Sequence, residues 1–298
     1  MDDRTSRGRV ALFLVLAFAI DWVCWVWAGS QTGWSVVEGS GPWPVVLPLT
    51  MFGPLVAALV VRVVPGADVP RGWRPRVRGN VRWYVVALLA PSVLTLLGAL
   101  VYFALVPGAF DSAATAYAQA AKAQLGAHGS RVSMLMVAQF AFAMLVAPFF
   151  NMLFAIGEEA GWRGFLYPAL RGWLPRPAAM LATGAIWGLW HAPLIAMGYN
   201  YGTSYPGFPV VGILAMVLFC MGFGALLCLL RDATQSVWPC ALAHGALNAV
   251  AGLPAWFSTD GIGILGPAPL GLLACIPTLL LCAWILVGAS KHAPSGVK

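Results

Sequence analysis

Long apolar runs separated by short polar or arginine-bearing connections set the pattern of this chain. Runs near 10–30, 43–63, 83–106, 132–157, 177–198, 208–230, 236–253 and 268–289 each approach the ~20 apolar residues an α-helix needs to cross a bilayer core. They predict an all-α, polytopic transmembrane helix bundle of about eight spans. No internal repeat or soluble segment divides it. The natural partition, all within one membrane domain, is 1–131 (spans one to three with their connections), 132–253 (a core rich in misplaced polar residues) and 254–298 (the last span and a tail). One stretch does not fit the simple count. A continuous helix over 132–170 would be about 58 Å long at the 1.5 Å rise per residue, so Pro148 is expected to break or kink it.

Composition agrees with this pattern: 60% of residues are hydrophobic and only 9% charged, where a soluble domain carries roughly a quarter. Mean hydropathy is +0.82. The net charge of +7 suggests a nucleic-acid partner until the positions are inspected. With the N-terminus placed inside, Arg4, Arg7, Arg9, Arg62, Arg71, Arg74, Arg76, Arg78, Arg82, Arg163, Arg171, Arg176, Arg231, Lys291 and Lys298 all fall on one side. Only Lys122 and Arg131 fall on the other. This is the positive-inside distribution, and it predicts both termini cytoplasmic, with some attraction to anionic headgroups. The implied partner is the lipid bilayer, and no nucleic acid. The six cysteines (Cys24, Cys220, Cys228, Cys240, Cys275, Cys282) lie in apolar stretches without CxxC or finger spacing, and read as small buried hydrophobes. Residues 10–30 lack a small-residue cleavage site and read as an uncleaved first span.

Ionisable groups inside spans are costly, so each is a candidate site. Asp21, the pair Glu158–Glu159, His191, and His244 with Asn248 stand out. In Gly157-Glu158-Glu159-Ala160-Gly161-Trp162-Arg163, Glu159 and Arg163 are one helical turn apart, acid before base, the favourable order. Glu158 points about 100° away, towards the face of Trp162. The division expected is a supporting carboxylate, Glu159, neutralised by Arg163, and a free one, Glu158, available as a general base. An ion pair at a helix end is the purely structural alternative. Trp187 and His191, and then His244 and Asn248, repeat the i, i+4 spacing. A lone membrane histidine bonded to a carbonyl, or a His–Asn pair stitching two helices, are the alternatives there. Depth links the three. With a turn near Leu174, Glu158 lies 16 residues before it and His191 17 after it, so an antiparallel hairpin brings them to one level. Asp21 reads as an inter-helix hydrogen-bonding group without an evident partner.

Glu158-Glu159-x-x-x-Arg163, an aromatic one turn before His191, and His244-x-x-x-Asn248, in this order on successive helices, resemble the CPBP family. That group includes CAAX prenyl endopeptidases (Rce1-like) and bacteriocin-immunity (Abi-type) proteins. The resemblance spans roughly 148–252 and departs at Trp187, where the family usually has Phe. It implies that 132–253 is a catalytic core, with an intramembrane endopeptidase activity on membrane-bound, possibly lipidated or CAAX-like, peptides. It further implies that Glu158 is the base, His191 its partner in activating water, and His244 and Asn248 the stabilisers of the oxyanion. Glu159 and Arg163 support the site, with Trp162 and Trp187 as its aromatics. The metal question stays open. Glu158, His191 and His244 are candidate Zn2+ ligands with Glu159 as base, but HExxH spacing is absent, and the glutamate mechanism, which requires no cofactor, is preferred. The site is expected to open towards the cytoplasm. Alternative readings are a non-catalytic immunity or peptide-binding protein and a proton-coupled transporter, the latter lacking the expected repeats.

Overall fold

A computed structural model describes residues 3–36, 39–63, 72–126 and 129–291. Arg71, Lys298 and most of the expected tail lie outside these. The described chain is helical, with isolated bridges but no extended strand. The longest element, α1 (Asp3–Gln31), is followed by α2 (Trp43–Thr50) and α3 (Gly53–Val63), which act as one apolar unit. Next come α4 (Val81–Leu105), α5 (Thr115–Leu125), α6 (Ser130–Leu145) and α7 (Ala147–Gly161). A π-helical turn (Trp162–Leu166) and α8 (Tyr167–Leu170) lead to α9 (Arg176–Trp190) and the short α10 (Ala192–Ala196). After them run α11 (Val210–Thr234), α12 (Trp238–Val250), a 3-10 turn (Leu253–Phe257) and α13 (Ile276–Lys291).

Among the described residues five helical units are long and apolar enough to cross a membrane, and counting the bent pair α6 with Ala147–Leu170 makes six. The other two expected spans fall on shorter helices. The chain between Arg176 and Ala196 is divided at His191 into a 15-residue helix and a 5-residue one, and α13 is 16 residues long. The over-long segment bends by 43° at Val146, and Pro148 sits in the first turn of the new helix. Proline has no N–H to donate and its ring opposes the carbonyl four residues back, so the break falls just before it. The π-turn has the same origin. Pro168 cannot bond back to Gly164, and Tyr167 N–H instead reaches Trp162 O, five residues back.

Tight helix contacts frame the interior. Gly157 and Gly161 press α7 against Met51, Phe52 and Pro54, and Gly184 and Gly188 press α9 against α11. Both are small-xxx-small pairs, which let helices approach in lipid, where there is no hydrophobic drive between them. A Cβ at Gly184 would lie 2.6 Å from Cys220 O. Gly184→Ala is therefore expected to destabilise by about 1–3 kcal/mol, the usual cost of overpacking, seen as a lowered thermal midpoint in detergent. Five of the six cysteines are buried and unpaired, and Cys24 is half-buried. α5, α6 and the 3-10 turn share a small aromatic cluster: Tyr117 packs on Trp256 with ring centroids 4.6 Å apart, and Phe140 meets the same indole at 5.3 Å.

Candidate active site

Each polar group at the centre is placed by a helix whose other face is apolar. The α7–α9 hairpin turns over 171–175 and brings Trp187 against Glu158, whose Oε2 accepts the indole N–H at 2.7 Å. One turn later His191 Nδ1 lies 2.9 Å from Trp187 O. A carbonyl only accepts, so Nδ1 carries the proton and Nε2 keeps a lone pair. Arg163 Nη1 donates to both oxygens of Glu159, at 3.0 and 3.2 Å. His244, from α12, sets Nδ1 3.0 Å from Glu159 Oε1. Glu159 thus holds Arg163 and His244 together, while Glu158 is left with one oxygen outside these pairings. Trp187 is the hub: its N–H engages Glu158, its ring face lies 4.5 Å beneath the Arg163 guanidinium, and its carbonyl engages His191. Glu158, Glu159, Arg163 and Trp187 are all but excluded from solvent.

These groups face one cavity of about 770 Å³. Glu158, Trp187, His191, His244 and Asn248 line it, with Asn151 and Thr50 among further polar neighbours. Asn248 is solvent-exposed although His244, one turn away, is buried; the pair spans the step from the floor of the cavity to its open part. Asn151 donates from Nδ2 to Gly245 O at 3.2 Å, tying α7 to α12 beneath the cavity.

One sequence expectation is corrected. The indole against Glu158 belongs to Trp187, not to Trp162. Trp162 lies on the side of the helix covered by α1, edge-on to Phe13 at 5.6 Å and to Trp190 at 5.8 Å. The cavity is lined from several elements of the bundle. Its walls include the 198–202 and 262–271 connections. A strap at 72–74 is bonded to the helices. Trp73 donates to Ala160 O at 3.2 Å, Trp238 to Trp73 O at 2.9 Å and Ser236 Oγ to Arg74 O at 2.9 Å.

Asp21 finds a partner that sequence spacing did not reveal: Trp190 Nε1 donates to Oδ2 at 3.0 Å, while Trp22 donates to Trp190 O at 2.9 Å. α1 thereby clamps the residue before His191. Thr50, accepting from Trp25 at 2.9 Å, and Asn151 were also missed; a lone threonine or asparagine in an apolar run carries no periodic signal. Among the described residues no group of three or more His, Cys, Asp or Glu side chains is placed to hold a metal ion. Glu158, His191 and His244 surround one cavity without forming such a set.

A search of the curated proteins gave no match. Residues 133–250 match the family described as type II CAAX prenyl endopeptidase Rce1-like, and this segment carries every polar residue of the cavity floor, from Glu158 to Asn248. The apolar helices and this match together make the chain an integral membrane protein. Over residues 133–250, then, the chain is similar to the Rce1-like type II CAAX prenyl endopeptidases.

Proposed function

We propose that this protein is an intramembrane endopeptidase that hydrolyses peptide bonds with a water activated by Glu158 and His191. The observation that carries the reading is the unequal treatment of two adjacent carboxylates: Glu159 is consumed by Arg163 and His244, whereas Glu158 is oriented by a single indole N–H and faces the cavity. Among the described residues no serine or cysteine lines that cavity, and water is taken as the nucleophile. Glu158 takes a proton from the water as its oxygen bonds to the carbonyl carbon. His191 Nε2 accepts the water's second hydrogen and fixes its direction. The carbonyl π electrons move to oxygen, and the oxyanion meets the Asn248 amide and His244 Nε2. Glu158 returns its proton to the departing nitrogen as the C–N bond breaks.

In this role His244 is an imidazolium, donating from Nδ1 to Glu159 and from Nε2 to the oxyanion. Charge balance favours that form: two carboxylates, one guanidinium and one imidazolium sum to zero in a buried site, where an unbalanced charge is costly. The scheme routes no step through a metal.

The test compares membrane peptidomes of cells carrying wild-type protein or Glu158→Gln. Cleavage products present only with the wild type support hydrolysis; indistinguishable peptidomes sink it in favour of a non-catalytic peptide binder. Asn248→Ala is expected to lower the rate on any substrate so found by roughly 10²- to 10³-fold, as loss of one oxyanion donor does, with little change in KM. A change confined to KM would place Asn248 in substrate binding instead.

A further inference from the structure

We infer that Asp21, on the first helix, is a positioning residue for His191: through the indole of Trp190 it sets the direction in which the imidazole holds Nε2. That His191 acts on water rests on the proposed hydrolase; the placement of its ring does not. Asp21 is wholly buried within α1 and lies outside the matched segment 133–250. A carboxyl inside a membrane span is costly, and is a functional candidate by default. Its surroundings leave it one task. Oδ2 accepts the Trp190 indole N–H at 3.0 Å, and Oδ1 has no hydrogen-bond partner among the described residues. Gly53 of α3 lies against the same carboxyl so closely that a Cβ there would overlap it. The group is thus pinned by backbone and directed at Trp190.

Trp190 in turn bears on His191. The imidazole lies between two indoles, 4.7 Å from Trp190 at 82° and 5.9 Å from Trp187 at 61°, centroid to centroid. Each indole is fixed at its N–H by a carboxyl, Trp187 by Glu158 and Trp190 by Asp21. The two rings restrain different motions. The bond from Nδ1 to Trp187 O decides which nitrogen is left with a lone pair, but one hydrogen bond lets the ring swing about it. Packing edge-on to Trp190 removes that swing. The restraint matters because α9 ends at Trp190 and α10 starts at Ala192, so the backbone carrying the imidazole lies at a helix break. α1 holds Trp190 at further points: Trp22 donates to its carbonyl at 2.9 Å, and Trp25 meets its ring at 4.7 Å.

The signature to read is the protonation pattern of the His191 ring, by nitrogen NMR of full-length protein carrying ¹⁵N-labelled histidine, with His191 assigned by His191→Gln. The wild type should show one tautomer, protonated at Nδ1. Trp190→Phe keeps a ring but no N–H, and Asp21→Leu removes the acceptor; each should give mixed tautomers. The double variant should be no worse than either, since both act through one bond. Asp21→Asn keeps an oxygen for the indole and should keep the wild-type pattern. Gly53→Ala displaces the carboxyl without altering it and should again give the mixture, which covers the case of an Asp21→Leu protein that does not fold. On a substrate found by the peptidome comparison, the disrupting variants should lower kcat by about 10- to 100-fold with KM unchanged, the scale of a catalytic group moved by about 1 Å. A plain stitch between helices would lower the thermal midpoint and leave the tautomer alone. An unaltered His191 pattern in Trp190→Phe or Gly53→Ala, or one altered as much by Asp21→Asn as by Asp21→Leu, overturns the inference. A wild-type protein that cuts no peptide while the NMR pattern holds defeats the hydrolase and leaves the positioning of His191 standing.

Discussion

Glu158→Gln is expected to lower the hydrolytic rate by roughly 10²- to 10⁴-fold, the usual contribution of a positioned general base, with the thermal midpoint nearly unchanged. The two parts of this expectation come from the same geometry. Gln keeps the volume of Glu and a carbonyl oxygen able to accept the Trp187 N–H, so the 2.7 Å contact and the packing around it survive. What is lost is the capacity to take a proton from water. Rates on a purified substrate and thermal unfolding in detergent, measured on the same preparation, separate these effects. A rate within threefold of wild type would remove Glu158 from the chemistry. A collapse of the midpoint would show that the carboxylate serves the fold instead.

How much of this was legible beforehand depends on whether a feature is local. The Glu159–Arg163 pair and the joint exposure of His244 and Asn248 to one cavity follow from helical spacing alone, and the structure places them so. The levelling of Glu158 with His191 needed only a short turn, and 171–175 supplies it. The choice between Trp162 and Trp187 was not local. Both indoles are within reach of Glu158 on paper, and the decision rests on α1, whose Phe13 takes up Trp162. Asp21 is likewise matched to Trp190 across 169 positions, a pairing no periodicity encodes. Two of the expected spans fall on helices shorter than a full crossing: His191 ends α9 after 15 residues, which apolarity does not report, and α13 has 16. The walls at 198–202 and 262–271 were not foreseen, because they are irregular connections, whose place over the site is set by packing. The GxxxG spacings at Gly157/Gly161 and Gly184/Gly188 are visible in the sequence but went unread, and they set two of the close helix contacts.

Glu159→Ala is expected to destabilise the protein by about 3–5 kcal/mol, the cost of stranding one member of a buried ion pair. Its partners have no substitute. Arg163 is wholly buried and its Nε and Nη2 already lack hydrogen-bond acceptors among the described residues, with the face of Trp187 as its remaining support. Removing the carboxylate leaves that guanidinium without a counter-charge and frees His244 Nδ1. The damage is therefore structural first and chemical second, the opposite order to Glu158→Gln. Arg163→Met with Glu159→Gln removes both charges together and should recover a large part of the loss, since a buried pair replaced by matched apolar or neutral groups is often close to neutral. Activity should not return with it, because His244 in the double variant has no carboxylate to hold it as an imidazolium facing the oxyanion. Unfolding midpoints and cleavage rates for the three proteins decide the matter. Glu159→Ala with a wild-type midpoint would mean that Arg163 reaches water or lipid headgroups. A double variant that regains activity would mean that the carboxylate does not set the protonation of His244.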